Sequence, residues 1–232
     1  MPAFISKSQA ALLRKIVKRH KAGVKLGKPW DKWTDDALLR KVFVQVVVIG
    51  RAEPGERLQH DPKIARKVSV KKLSGFRNDA ALQKYLHKLF ANLGVRYSQG
   101  SSWKNDWKAK ASARNFDVLM NAGGPTEFFR DIANRKSEEE KIAALRKALK
   151  RYGPKSARDT LIELRLAENC MALDTRIFGV LKKVGVKVSP DDIYMQIERE
   201  LRVKVAKPLG IPAALLDRVL FGKYKDIKTF EV

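Results

Sequence analysis

Leu149 to Ile177 reads LKRYGPKSARDTLIELRLAENCMALDTRI, and the rest of the chain is organised around this stretch. Apolar residues at Ile142, Leu145 and Leu149 recur at helical spacing and then meet Tyr152-Gly153-Pro154. Glycine relieves the steric cost of a left-handed helix end, and proline is tolerated at a first helical position that needs no donor. One helix therefore stops and another starts within a few residues, which predicts a helix-hairpin-helix over about 138–167. Ser137 and Glu140 form an S-x-x-E pattern that opens its first helix. Lys155 falls in the first turn of the second helix, where the macrodipole disfavours a cation and the free N–H groups favour an anion. A lysine there is poorly placed for stability and well placed for a phosphate or for chemistry. Further on, Asp174 follows Ala172-Leu173 and precedes Thr175-Arg176-Ile177, where a third helix begins.

Gly153, Lys155, Ala157 and Asp174 fall on a known pattern, L-P-G-h-G-x-K-x-A followed downstream by an Asp in h-D-x-H/R. On these residues the chain resembles the helix-hairpin-helix DNA glycosylases. A lysine at position 155 resembles the bifunctional branch, that of the 8-oxoguanine DNA glycosylases with AP lyase activity and of endonuclease III. Lys150 and Arg151 replace the usual Pro-Gly, which leaves open whether the loop holds a structural cation or Arg151 itself meets a phosphate. Arg176 stands where a His is commoner. The resemblance implies an all-α, two-lobed fold in a single glycosylase-like unit over 1–232, and excision of an oxidised base, 8-oxoguanine first, from double-stranded DNA. It implies Lys155 and Asp174 as catalytic residues, with abasic sites also processed. A non-catalytic helix-hairpin-helix DNA-binding protein is the alternative, with Lys155 on a phosphate and Asp174 only capping a helix.

Composition points the same way without choosing an enzyme. The chain has 232 residues, with 49 Lys and Arg against 25 Asp and Glu, a formal net charge of +24. Such an excess repels itself in a compact fold and is tolerated most easily against a polyanion, so DNA or RNA is the leading partner. No apolar run approaches the length of a membrane span. The N-terminus has neither a signal-peptide core nor a transit pattern, so an intracellular protein is expected, and the resemblance implies a monomer associated with the nucleoid or nucleus.

One cysteine, Cys170, excludes an internal disulfide and a four-cysteine iron–sulfur cluster of the kind endonuclease III-like enzymes carry. His20, His60 and His87 are widely spaced, with no H-x-E or H-E-x-x-H pattern, so no metal and no cofactor are expected.

Along the chain, Ser8–Ala22 reads as an amphipathic helix ending at Gly23. Leu38–Ile49 is apolar at helical period and reads as a core helix, despite its Val-rich end. Gly50–Asp61 is punctuated by Gly and Pro and reads as a loop, and Lys63–Lys72 leaves helix and loop open. Asp79–Gly94 is a further helix. Trp103 and Trp107 lie four apart among Lys104, Lys108, Lys110 and Arg114, so on a helix they share a face, suited to core packing or to stacking on a base. Helices follow at Pro125–Ile132, through Ile177–Val184, from Ser189-Pro190-Asp191 to Val205, and over Ala213–Phe221. The basic residues Lys150, Arg151 and Arg158, with Gly153, are the expected DNA contacts. Trp103, Trp107, Gln45 and Phe221 are the residues put forward for a base pocket.

Overall fold

The computed structural model describes residues 4–100, 102–187 and 194–229, and every regular element among them is helical. In chain order these are α1 (Lys7–His20), α2 (Asp35–Val47), α3 (Glu53–His60), α4 (Pro62–Ala65), α5 (Val70–Ser74), α6 (Asp79–Asn92) and α7 (Trp107–Asn121). Then come α8 (Pro125–Ala133), α9 (Glu138–Ala148), α10 (Pro154–Glu163), α11 (Thr175–Lys183), α12 (Tyr194–Leu201), α13 (Ala213–Gly222) and α14 (Tyr224–Thr229). The all-α expectation is met.

The chain divides into two compact units, an inner one of Pro29–Thr160 and a terminal one of Met1–Lys28 with Leu161–Val232, and the division falls inside α10. The inner unit is built on α2, nine of whose thirteen residues are buried. Thr34 caps it, its side chain accepting from the Ala37 N–H, and Leu38, Leu39, Val42, Phe43 and Val46 are fully buried. At roughly 1.5–3 kcal/mol for each large apolar side chain, that burial outweighs the reluctance of valine to enter a helix.

The Gly50–Asp61 stretch is not the loop its composition predicts, because Glu53–His60 is helical. Pro54 sits in the first turn, where its missing N–H costs nothing, and Gly55 lets α3 lie against the end of α2. A Cβ on Gly55 would stand 2.2 Å from Val48 Cγ1. Glycine here marks a close approach of two helices. The Lys63–Lys72 stretch resolves into the short helices α4 and α5.

The terminal unit packs Leu13, Ile16 and Val17 of α1 in one apolar cluster with Ile177 and Leu181 of α11, Leu201 and Leu216. Ser6 opens α1 with a complete capping box against Gln9. The Ser137–Glu140 box is only half made: Ser137 Oγ accepts from the Glu140 N–H, but the Glu140 carboxylate takes the N–H of Lys136. α12 runs on through a π-helical turn at Arg202–Ala206 and a 3-10 turn at Lys207–Leu209 before Gly210 reverses the chain. The expected start of that helix at Ser189-Pro190-Asp191 lies outside the described residues.

Candidate active site

The turn between α9 and α10 is held from the side by α7. Asn115, fully buried, clasps the peptide of Lys150 at both ends: its Oδ1 accepts from the Lys150 N–H at 2.6 Å and its Nδ2 donates to the Lys150 carbonyl at 3.2 Å. The chain then reverses at Arg151, whose φ of +64° lies in the left-handed region. For a residue with a Cβ this costs on the order of 1 kcal/mol or more, and such strain persists only where its surroundings enforce it. Here the Asn115 clasp fixes the residue before it, and the Arg151 guanidinium lies over the Trp107 ring, 4.7 Å from its centroid. Gly153 needs neither a left-handed φ nor internal space, since a Cβ there would meet nothing within 4 Å. Its bare backbone faces open volume at the mouth of α10.

Asp79, Trp107, Lys110, Arg114, Lys150 and Arg151 line a cleft of about 690 Å³. Four cations around one cleft attract a polyanion. The two tryptophans do not share a helix face. Trp103 lies in a separate 3-10 turn, Trp103–Asn105, and Asp106 starts α7 anew by accepting from the N–H groups of Lys108 and Ala109 at 3.0 and 3.1 Å. Trp107 supports Arg151, so one face of its ring is already covered.

Lys155 is the second residue of α10, its side chain about one-third exposed. Its Nζ stands 3.8 Å from Asp159 Oδ2, one turn along the helix. The same oxygen accepts from Lys41 Nζ at 3.3 Å and from Gln45 Nε2 at 2.6 Å, both from α2. Gln45, expected to line a base pocket, is instead 2% exposed and spent on Asp159. Arg158, expected on DNA, is likewise buried, with Nη1 donating to the Pro154 carbonyl at 3.3 Å. It closes the first turn of α10 from within.

Asp174 belongs to the terminal unit, where it caps α11: its Oδ1 accepts from the N–H groups of Arg176 at 2.9 Å and Ile177 at 3.0 Å. The segment before it has no helical partners for its N–H groups, and side chains supply them. Met171 N–H donates to Glu198 Oε1 at 2.9 Å, Ala172 N–H to Asp217 Oδ2 at 2.7 Å, and Leu173 N–H to the Tyr194 hydroxyl at 2.8 Å. Glu198 and Asp217 are buried acids, so the path of the chain into Asp174 is firmly set. Phe221, also in the terminal unit, carries the Arg176 guanidinium 4.4 Å above its ring.

No protein-family model matches the sequence, and no curated protein matches it either. Among solved structures, the chain is similar to Methanocaldococcus jannaschii 8-oxoguanine glycosylase/lyase in complex with a 15mer DNA containing 8-oxoguanine. The TM-score is 0.62 at 13% identity, over 94% of this chain and 91% of that one. Methanocaldococcus jannaschii 8-oxoguanine DNA glycosylase gives a TM-score of 0.59 at 14% identity, over 95% and 89%. The chain shares its all-helical fold with these two structures.

Asn115, Lys41 and Asp159 belong to this site without any local motif to announce them. Lys41 and Gln45 are spaced four apart in an otherwise apolar helix, which was a legible sign of a shared buried partner. Nothing local marked Asp159 as that partner. Lys108, a basic neighbour of tryptophan in the sequence, is fully buried and donates to the carbonyls of Val47 at 2.9 Å and Ile49 at 2.6 Å. Among the described residues no group of three or more His, Cys, Asp or Glu is gathered to hold a metal ion, and no helix is long and apolar enough to cross a membrane.

Proposed function

We propose that this protein is a DNA glycosylase with AP lyase activity, which removes an oxidised base, 8-oxoguanine foremost, from double-stranded DNA through Lys155. The observation that carries the reading is an accessible lysine at the mouth of the second hairpin helix, in a chain with the fold of 8-oxoguanine glycosylases. A base inside a duplex does not expose its glycosidic bond, so the nucleotide must be extruded while backbone contacts hold the distorted strand. Lys150, Arg151 and the bare backbone at Gly153 suit those contacts. The neutral Lys155 amine then attacks C1′, and the base departs with the electrons of its C–N bond. The C1′–O4′ bond then breaks as a proton passes from the nitrogen to O4′, leaving a protonated imine that acidifies the C2′ proton, and loss of that proton expels the 3′-phosphate by β-elimination. Asp174 stabilises the positive charge that develops on the sugar.

A second reading, a DNA-binding protein without catalysis, draws on one observation: both hydrogen bonds at Asp174 are accounted for by the cap of α11. The two part on a set of duplexes, each carrying one lesion or an abasic site, incubated with the protein and borohydride. The glycosylase reading expects a covalent protein–DNA adduct that survives denaturation, strongest with 8-oxoguanine among the damaged bases. Steep, salt-sensitive binding to all duplexes with no adduct would leave only the binding protein.

A further inference from the structure

The inner unit gathers two hydrogen-bond donors and a third, ion-paired nitrogen around one carboxylate oxygen. Lys41 and Gln45 are one turn apart on α2, Lys155 and Asp159 one turn apart on α10, and Asp159 Oδ2 is where the four side chains meet. The side chain of Lys41 is 2% exposed and that of Asp159 13%. A buried ion pair of this kind is seldom the most stable filling of a core, since a pair of apolar side chains of similar volume serves as well or better. What it provides is a carboxylate with a fixed position. Gln45 adds to this, because at 2.6 Å it makes the shortest of the three contacts, while its own Oε1 is buried with no hydrogen-bond partner. The amide is thus oriented by Asp159 alone.

Lys155 differs from Lys41 and Gln45. Its side chain is one-third exposed and its Nζ is 3.8 Å from the oxygen, an ion-pair distance longer than a hydrogen bond. A lysine has four rotatable carbons and loses much of their freedom when it is fixed. Left alone at a helix start, its amine samples many positions. Because Lys41 and Gln45 already hold Asp159, that carboxylate tethers the amine at one end of its range without swinging out to follow it.

We propose that Asp159, fixed by Lys41 and Gln45 of α2, is a positioning residue for the Lys155 amine. This rests on Lys155 being the nucleophile. Reactions of this kind depend steeply on placement, and a misplacement of about 1 Å costs up to about 100-fold.

The test uses the full chain, a duplex with a single abasic site, and the single-turnover rate of borohydride trapping. Asp159→Asn alone leaves Lys41 buried without its counter-ion and is expected to melt low, so it is not the informative variant. The informative one is Lys41→Met with Asp159→Asn, which removes both charges at once. It is expected to keep a melting temperature close to that of the parent and DNA affinity within about twofold, while trapping slows roughly 10- to 100-fold. Asp159→Glu, which keeps the Lys41 pair but moves the carboxylate by one methylene, is expected to melt like the parent and trap more slowly. If the doubly neutral variant recovers both melting temperature and trapping rate, or if Asp159→Glu traps at the parent rate, the cluster is structural only and the proposal is overturned. Failure of the parent chain itself to form any adduct would overturn the glycosylase reading instead, which keeps the two outcomes apart.

Discussion

Lys108 at the start of α7 and Lys155 at the start of α10 occupy the same kind of position, the first turn of a helix, with opposite results. Lys108 is fully buried, and its amine donates to the carbonyls of Val47 and Ile49, so it finishes the C-terminal end of α2. Burial lowers its pKa to about 8, with Asp106 working against the shift and Arg96 adding to it. Judged by that lowered pKa alone, Lys108 would be a candidate nucleophile. Judged by access it is none, because no reacting atom reaches an amine closed in by Tyr97 and Trp107 and committed to two carbonyls. Lys155 has the access, at the mouth of a helix whose preceding turn is strained and exposes bare backbone. A perturbed lysine is a functional candidate only where a cleft leads to it.

The largest effect is expected where this comparison is broken directly. Lys155→Gln removes the amine and keeps a long polar side chain, so the borohydride adduct and strand cleavage are expected to vanish. DNA affinity should fall by no more than one lost phosphate contact, and melting should stay near that of the parent. The matching change at Lys108 should do the reverse: Lys108→Gln is expected to lower the melting temperature while the folded protein still forms the adduct. An adduct that persists in Lys155→Gln would remove the nucleophile from the hairpin.

Asp174→Asn sharpens the same contrast on the acidic side. Asparagine caps a helix about as well as aspartate, so α11 should remain intact. If the carboxylate stabilises charge on the sugar, base release slows by about 10²- to 10⁴-fold at unchanged melting temperature. Parallel loss of stability and activity would assign Asp174 to capping alone.

What the sequence made legible follows the same division between local and distant partners. The hairpin, the exposed Lys155 and the cap-forming Asp174 depend on residues within a turn of each other, and local spacing carries that information. α3 was hidden because Pro54 and Gly55 punctuate most sequences as loops, and only packing against Val48 shows why a helix needs that glycine. The tryptophan pair misled for a simpler reason, that Asp106 between them caps a new helix, a signal present in Asn105-Asp106-Trp107-Lys108. Gln45 is placed by a distant partner. Asp159 lies 114 positions from Gln45, and no pattern in either segment names the other. Asn115 clasping Lys150 and Arg151 resting on Trp107 are of this distant kind too, so the fold was more legible than the second layer of the site.

The smallest expected effect is a pH dependence that comes from Lys108. Its pKa is lowered to about 8 in the folded chain, below the ordinary lysine value of 10.5 that applies when the chain is unfolded. Between those two values the unfolded state binds more protons, so stability rises with pH across that window. The contribution is fully present above the unfolded value and is lost as pH falls through the folded one. A neutral amine still has two N–H groups for Val47 and Ile49, which is why the folded state tolerates the loss of charge so well. Lys108→Met abolishes both the hydrogen bonds and the titration. It is expected to cost roughly 1–3 kcal/mol for the two carbonyls left unsatisfied, or several degrees of melting temperature in a chain of this size. The gap between parent and variant should then widen as pH is raised from 8 toward 10.5, with a slope of no more than about 1.4 kcal/mol per pH unit. Thermal melts of both proteins at half-unit steps of pH measure it. A gap that stays constant across the window would mean that the Lys108 amine holds its proton in spite of burial, stabilised by the two carbonyl dipoles more than burial costs it.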